Sequence, residues 1–394
     1  MTPAPPSTDR FWPAVLAALG AMYVGIGLAR FAYTPLLPAV IAAGWFPADQ
    51  AAYLGAANLA GYLAGALAGR RLAVRWSTAV VGRTMILATA ASLFACAVPV
   101  SFAWFSAWRF LSGVTGGVLM VIAAPAALRI VPPERRGLAS GVIFTGVGLG
   151  ITSSGVFVPL LLGLGLRETW ATLGLVTLAI AAASWRFWPP EAGAGELAAR
   201  PESPAWPAAA TALVCLYALV AVGLVPHMVF LVAYVAQGIG AGIAAGSAYW
   251  VLFGVGASVG PSLFGQLADR LGVSRTLALA LAAQIAAGVL ILTSTAPPAL
   301  AASSFLVGAF TPGCIPLILG RIREIFHDPV RQQTAWGRAT MIFAVTQAAA
   351  GYALSAVFAH GAYHLLFGIG AAAFTLALLL ELGRALLARR LARL

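Results

Sequence analysis

The chain has 394 residues, of which 61% are hydrophobic and 9% are charged. This composition leaves too little polar surface to cover a water-soluble core, so it excludes a soluble globular protein and indicates one embedded in lipid. The formal net charge of +12 comes from 23 arginines and no lysine, a balance that in a soluble protein would point to nucleic acid.

Apolar runs of the length that a bilayer core requires, about 20 residues each, follow one another along the chain. Lipid offers no partner to an unpaired backbone group, and the runs are too long and too uniform for barrel strands, so each is expected to be an α-helix. The predicted class is an all-α polytopic membrane protein with twelve transmembrane helices, over residues 11–42, 50–69, 79–98, 101–128, 137–164, 168–188, 207–236, 243–267, 274–293, 297–322, 333–358 and 361–387.

The segment between the sixth and seventh spans separates two blocks of six spans. The stretch 189–207 contains three Glu, five Pro and two Gly, which is typical of a flexible linker. The predicted organisation is a cytoplasmic N-terminal tail (1–10), a six-helix bundle (11–188), a cytoplasmic linker (189–206), a second six-helix bundle (207–388) and a cytoplasmic C-terminal tail (389–394).

The distribution of the arginines tests this count of spans. With twelve spans, 20 arginines fall on one side, only Arg167 falls in a loop on the other, and Arg30 and Arg109 lie within spans. Such an imbalance marks the cytoplasmic side. We therefore predict a multi-pass protein of the cell inner membrane with both termini in the cytoplasm. The charge is then a topology signal, and no nucleic-acid partner is expected.

The two blocks contain an internal repeat. At an offset of 200 residues, "GALAGRRLAVR" (65–75) aligns with "GQLADRLGVSR" (265–275), and both are predicted to lie in the cytoplasmic loop after the second span of their block. A weaker similarity relates "RFLSGVTGG" from Arg109 to "SFLVGAFTPG" from Ser304, in the fourth spans. Repeats in the same orientation predict two similar bundles around an axis along the membrane normal.

The pattern G-x-L-A-D-R-x-G-x-x-R in the second of these loops resembles the loop signature of the major facilitator superfamily of secondary transporters. The first loop departs from that signature, because Gly69 stands at the acidic position. Further stretches resemble the YbfB/YjiJ branch of the superfamily and together cover essentially the whole chain: "GLARFAYTPLLPAV" (27–40), "GLVPHMVFLVAYVAQG" (223–238), "AYWVLFGVGASVGP" (248–261), "GAFTPGCIPLILGRIREI" (308–325) and "AWGRATMIFAVTQAAAGYALS" (335–355).

This resemblance implies the major facilitator fold of two six-helix bundles and a secondary active transporter that moves a small organic solute by alternating access. It also implies a conformational latch at the loops, expected to be stronger in the second half because of Gly69. The alternative is that the loop charges only anchor helix ends at the lipid headgroups. The latch residues implied are Gly265, Asp269, Arg270, Arg275 and Arg70.

Arg30 lies near the middle of the first span, where an unpaired guanidinium costs at least ~2.5 kcal/mol. One interpretation is a cation that lines the transport cavity and attracts an anionic group on the substrate, a small organic or drug-like solute. The other is a structural residue bonded to carbonyls or hydroxyls of a neighbouring helix. The resemblance favours the first, because it implies that spans 1, 4, 7 and 10 face a central cavity. Tyr33 and Thr34 are then candidate substrate contacts.

Arg109 and His227 are the other ionisable candidates inside the membrane. Arg109 resembles the arginine of the fourth helix that the superfamily associates with proton or substrate coupling, and its alternative is a side chain that snorkels to the outer interface. No Asp or Glu falls in the central part of a predicted span, so His227 is the buried group there that titrates near neutrality. We expect it either to couple transport to protons or to be a satisfied polar group.

Other polar residues at mid-depth are mostly expected to form interhelical hydrogen bonds. Spans 2, 8 and 11 flank the cavity in the fold that the chain resembles, which makes some of these residues better cavity candidates than the rest. The candidates are Asn58, Trp250 and Gln347, together with Thr311 in span 10.

No catalytic residue, metal site or cofactor is predicted. The cysteines Cys96, Cys215 and Cys314 stand singly in apolar runs, and the four histidines lack ligand spacing. The sequence therefore predicts a carrier and not an enzyme. Its expected partners are the lipid bilayer and a small-molecule substrate, with protons as a candidate coupling ion. The expected oligomeric state is a monomer. The alternative functions are a membrane-embedded receptor or a channel on the same fold.

Overall fold

The computed structural model describes residues 11–189 and 206–391, and the regular structure of this described part is entirely helical. The predicted N-terminal tail lies outside it, as does the predicted linker apart from residues 189 and 206, whereas residues 389–391 of the predicted C-terminal tail continue the last helix. Twelve of the helices are long and apolar enough to cross a membrane, which confirms the predicted class: α1 (Trp12–Ala42), α2 (Ala48–Trp76), α3 (Thr78–Cys96), α4 (Phe102–Arg129), α5 (Pro133–Leu162), α6 (Leu166–Phe187), α7 (Ala208–Gly238), α8 (Gly242–Leu271), α9 (Val273–Thr293), α10 (Pro297–Ile325), α11 (Val330–Ala359) and α12 (Tyr363–Arg384).

The second helix of each half is longer than predicted, and the loops predicted over residues 65–75 and 265–275 are wrong. Helix α2 continues through its arginines to Trp76, because Ala, Leu and Arg are strong helix formers and no proline interrupts them. A single residue then joins α2 to α3 and α8 to α9. These are Ser77 and Gly272, which have similar backbone angles with φ of 68° and 83°.

The internal repeat is visible in the packing of glycines. Helices α2 and α4 cross at Gly61 and Gly113, where an added Cβ would collide with the backbone of the other helix. The same crossing joins α8 and α10 at Gly256 and Gly308. Gly256 follows Gly61 by 195 residues, and Gly308 follows Gly113 by the same number. The turn residues Ser77 and Gly272 are also 195 residues apart. The helices of the two halves are therefore equivalent at an offset five residues shorter than the loop alignment indicated.

Six helices pack together in each half, and the halves meet along a seam formed mainly by α5 against α8 and by α2 against α11. The second part of α1 also packs against the second part of α7. That contact is dense, since every residue from Tyr33 to Val40 and from Val225 to Val235 is buried. The seam is thus closed at the end of the molecule where α1 and α7 finish.

The seam is open at the other end, which we call the arginine-rich end and at which α2, α4, α8 and α10 finish. Gly155 touches Val251 and Gly148 touches Ser258, so α5 and α8 pair closely from the middle of the membrane to the closed end. Seven residues closer to the arginine-rich end on each helix, this pairing places Gly141 of α5 opposite Gly265 of α8. No atom of the opposite helix lies within 4 Å of a Cβ built on either of these glycines, so the helices diverge there.

Candidate functional site

The middle of α1 is a π-helix over Tyr23–Phe31, in which the N–H of Ala32 donates to the carbonyl of Gly27 at 3.1 Å. Pro35 explains where the wide turn ends, because its ring excludes the carbonyl of Phe31 from an ordinary helical bond. Helix α7 also contains π-helical turns, over Pro226–Phe230 and Tyr234–Gly238, which begin at the position equivalent to the end of the π-helix in α1. Such turns expose backbone carbonyls and occur often at functional sites.

A small pocket lies between the halves at the depth of these π-helical turns. It is lined by residues of α1, α2, α4 and α7, namely Arg30, Phe31, Tyr33, Thr34, Gly55, Asn58, Leu59, Arg109, Met228 and Val229. About 20 Å³ of it is open to the centre of a water molecule, which is room for roughly one water. The structure thus brings together five of the nine residues predicted to bind substrate, and Gln347 lies at the edge through its bond to Arg30.

Arg30 connects the two halves of the molecule. Its Nη2 donates to Oε1 of Gln347 on α11 at 2.6 Å. Its guanidinium lies 5.2 Å from the ring centroid of Phe31 and 5.1 Å from that of Tyr62, within the range of cation–π attraction. The side chain is half-buried. The alternative role predicted for Arg30 required carbonyls or hydroxyls of a neighbouring helix as partners. The partner observed is instead a side-chain amide oxygen from the opposite half.

Arg109 is buried inside the N-terminal half, with 1% of its surface exposed, and does not snorkel to an interface. Its Nη1 donates to the carbonyl of Ala29 at 2.8 Å, and its guanidinium stacks 4.3 Å from the ring centroid of Tyr33. Its Nε has no partner. The π-helical turn of α1 therefore supplies the carbonyl that holds this cation.

Asn58 joins α1, α2 and α4 at the same point. Its Nδ2 lies within hydrogen-bonding distance of the carbonyls of Ala29 and Arg109, at 3.3 and 3.2 Å, and of Oγ of Ser112 at 2.8 Å. Its Oδ1 is buried without a partner. Two residues that line the pocket therefore each keep a buried polar atom without a partner, an acceptor on Asn58 and a donor on Arg109.

Tyr33 and Thr34 both have protein partners. The hydroxyl of Tyr33 donates to the carbonyl of Ala51 at 2.7 Å, within the same half. The hydroxyl of Thr34 donates to the carbonyl of Met228 at 2.6 Å, across the seam. Thr34 therefore fastens α1 to α7 directly below the closed end.

The structure places three of the predicted residues away from the pocket. Trp250 is fully buried and its Nε1 donates to Oγ of Ser154 at 3.2 Å, which bonds α8 to α5 across the seam. The hydroxyl of Thr311 donates to the carbonyl of Val307 in its own helix at 2.8 Å. The third residue is His227.

His227 lies inside the C-terminal half. Its Nε2 is 2.9 Å from Oγ of Ser303, which in turn donates to the carbonyl of Ala287 at 2.8 Å. The ring of Phe367 packs edge-on against the imidazole, with centroids 5.0 Å apart. These contacts belong to α9, α10 and α12, so His227 faces the bundle interior and not the seam.

The residues assigned to the latch lie at the arginine-rich end. Gly265, Asp269 and Arg270 belong to the last two turns of α8, and Arg275 to the first turn of α9. Asp269, Arg270, Arg275 and Arg70 are exposed. Within the described residues Asp269 forms no ion pair, consistent with helices that diverge at this end.

No carboxylate among the described residues lines the pocket with Arg30 and Arg109. The carboxylate that is buried, Glu381, lies at the arginine-rich end of α12. Its Oε1 lies 2.9 Å from Nη2 of Arg384 and 3.8 Å from Nε of Arg321. No group of three or more potential metal ligands occurs in the described part of the chain.

Sequence reasoning missed two residues that shape the site. Tyr62 stacks on Arg30 and lies one helical turn after Asn58, so the spacing of four residues already placed it on the same face of α2. Met228 bonds to Thr34 through its carbonyl and approaches Nε2 of Gln347 with its sulfur at 3.8 Å. The sequence analysis selected the neighbouring His227, which lies on the face of α7 turned away from the pocket.

Comparison with solved structures shows the same fold in several transporters. A mutant of the nucleoside transporter NupG superposes with a TM-score of 0.74 at 12% identity, covering 94% of this chain and 99% of that one. A bacterial homologue of the human lysosomal transporter Spinster, inward-facing and occupied, gives 0.68 at 15% identity, covering 95% and 97%. The xylose transporter XylE from E. coli, inward open, gives 0.67 at 15% identity, covering 93% and 95%.

These identities support the fold alone. Among curated proteins, none matches the chain. The family model described as "Uncharacterised MFS-type transporter YbfB" matches residues 22–382. With twelve membrane-spanning helices in two similar bundles, the chain belongs to this family of the major facilitator superfamily.

Proposed function

We propose that the chain carries a small organic solute with an anionic group across the inner membrane by alternating access. The observation that carries this proposal is the pair of guanidinium groups, Arg30 and Arg109, that line the pocket at the seam without a carboxylate among its lining residues. A cation inside a membrane protein is costly unless a partner compensates it. A carboxylate, sulfonate or phosphonate on the solute would supply that partner.

The open and closed ends of the seam support alternating access. If the arginine-rich end is cytoplasmic, as the positive-inside rule indicates, the structure corresponds to an inward-facing carrier. Rocking of the halves would bring Gly141 and Gly265 together and separate α1 from α7. The exposed Asp269, Arg270 and Arg70 would then form the latch of the outward-facing state.

The test is uptake into proteoliposomes that contain the purified protein. We expect uptake of radiolabelled benzoate, lactate or another organic anion from a panel, and none of quaternary amines. Uridine and xylose belong in the panel as neutral solutes, because structural neighbours transport nucleosides and xylose. Accumulation of amines or neutral solutes alone would refute the anion proposal, and empty liposomes provide the background.

The same preparation separates a carrier from the two alternative functions. A carrier shows saturable uptake that is stimulated when unlabelled substrate is loaded on the other side. A channel shows flux without this stimulation, and a receptor shows binding without flux. The closed contact of α1 with α7 favours the carrier, since it blocks a continuous pore in this conformation.

Proton coupling through His227, one of the two roles that the sequence leaves open for this residue, needs a separate test. His227 bonds to Ser303 inside the C-terminal bundle, so we expect His227→Gln to preserve the pH dependence of uptake, because glutamine can bond to the same hydroxyl. His227→Leu, which cannot, is the matched variant for loss of the bond. A pH profile that flattens in His227→Gln at normal expression would instead assign the coupling proton to this side chain.

A further inference from the structure

Gln347 is the hydrogen-bond partner that the described residues give to the guanidinium of Arg30. It is buried, with 2% of its surface exposed, and its Oε1 accepts from Nη2 of Arg30 at 2.6 Å. The other close neighbours of this guanidinium are the ring faces of Phe31 and Tyr62. Gln347 belongs to α11 and Arg30 to α1, so the bond spans the two halves.

An empty carrier of this design has a difficulty that a loaded one does not have. In the open state, water reaches the half-buried side chain of Arg30. When the arginine-rich end closes, that water is lost and the guanidinium keeps only the partners that the protein supplies. A buried cation without a partner is strongly unfavourable, whereas a hydrogen bond from a charged donor offsets part of that cost. Closure without a bound anion therefore depends on the amide oxygen of Gln347.

Building on the proposed function, we infer that Gln347 stands in for the anionic group of the substrate on Arg30, and so allows the empty carrier to close and reorient. The substrate anion and the glutamine compete for the same guanidinium. An anion that binds displaces the amide oxygen and takes over its role during closure. A carrier of this kind performs net transport, because it returns empty, and is not restricted to exchange.

The experiment measures closure of the empty protein and needs no solute. Spin labels are placed on Arg129→Cys in α4 and Arg323→Cys in α10, two exposed positions at the arginine-rich end of opposite halves. The exposed Cys215 is replaced by alanine, while Cys96 and Cys314 are buried and stay. Distances between the labels are recorded by pulsed electron paramagnetic resonance in lipid nanodiscs, in the same buffer for every variant.

We expect the wild-type protein to populate both an open and a closed distance. Gln347→Leu should lower the closed-to-open ratio by about tenfold or more, the effect of losing one hydrogen bond to a charged group. Gln347→Glu should raise the ratio by a similar factor, because its carboxylate is a permanent partner for Arg30. Adding Arg30→Ala to Gln347→Leu should restore the wild-type ratio, since no cation then remains to be compensated.

The matched control is Gln284→Leu, which removes an equally buried glutamine from α9, where its Nε2 donates to the carbonyl of Leu306. We expect it to keep the wild-type ratio. A wild-type protein that never closes when empty would overturn the inference, as would equal ratios in Gln347→Leu and wild type. Should Gln347→Leu fail to fold, an unchanged ratio in Gln347→Glu would overturn it. The uptake panel decides the proposed function separately, because no solute is present here.

Discussion

Replacing Arg30 with alanine should abolish uptake of the organic anion that wild-type proteoliposomes accumulate. Removing one partner of a desolvated, hydrogen-bonded charge pair costs about 2–5 kcal/mol, roughly thirtyfold or more in affinity. Uptake at limiting solute concentration should fall by at least that factor. Arg30→Lys should retain part of the activity, because lysine keeps the charge but loses the planar fork and the stacking on Phe31 and Tyr62.

The control for this variant is Arg186→Ala, which removes an exposed arginine at the end of α6. Its uptake should equal that of the wild type. If Arg30→Ala were folded and transported the anion at the wild-type rate, the guanidinium would have no role in binding, and the anion proposal would lose its basis.

Substituting Gly61 with alanine should destabilise the protein by several kcal/mol. The added methyl group would collide with the carbonyl oxygen and carbon of Phe110, which belong to the backbone of α4 and cannot turn aside as a side chain would. The helices α2 and α4 would have to separate along a contact in which Gly65, Gly113 and Gly117 also take part. Forced overpacking typically costs about 1–3 kcal/mol, and more where the backbone must move.

The matched substitution is Gly368→Ala in α12, where no atom lies within 4 Å of the added methyl group. Alanine is the better helix former by about 0.5–1 kcal/mol, so the same chemical change should raise stability there. Thermal unfolding in detergent, followed by size-exclusion fluorescence, should show shifts of opposite sign. A Gly61→Ala protein as stable as the wild type would mean that α2 and α4 do not cross as described.

The transmembrane architecture was predictable because each span had to be apolar and about 20 residues long. The ends of α2 and α8 were not, since arginine is compatible with a helix that continues into water. The register of the repeat could not be read from the charged stretches either. The charged stretches align at 200 residues, whereas the glycines that set the packing, such as Gly61 and Gly256, align at 195.

The pocket was partly predictable from the free-energy cost of placing polar groups inside a membrane. Arg30, Arg109 and Asn58 stand out because polar groups inside a membrane need partners. The direction of His227 was not predictable, because the π-helical turns of α7 shift the faces that a regular helix would present. Tyr62 gave a usable signal through its spacing from Asn58, but an aromatic residue in an apolar helix attracts little notice.

The one-residue turns at Ser77 and Gly272 couple the movements of the helices that they join. A connection this short cannot stretch, so an axial displacement of α2 is transmitted to α3, and one of α8 to α9. The two helices of each hairpin are therefore coupled in axial displacement. Inserting a fluorescent protein at either turn would uncouple the two helices, so a biosensor built on this scaffold should carry its reporter at an exposed helix end instead.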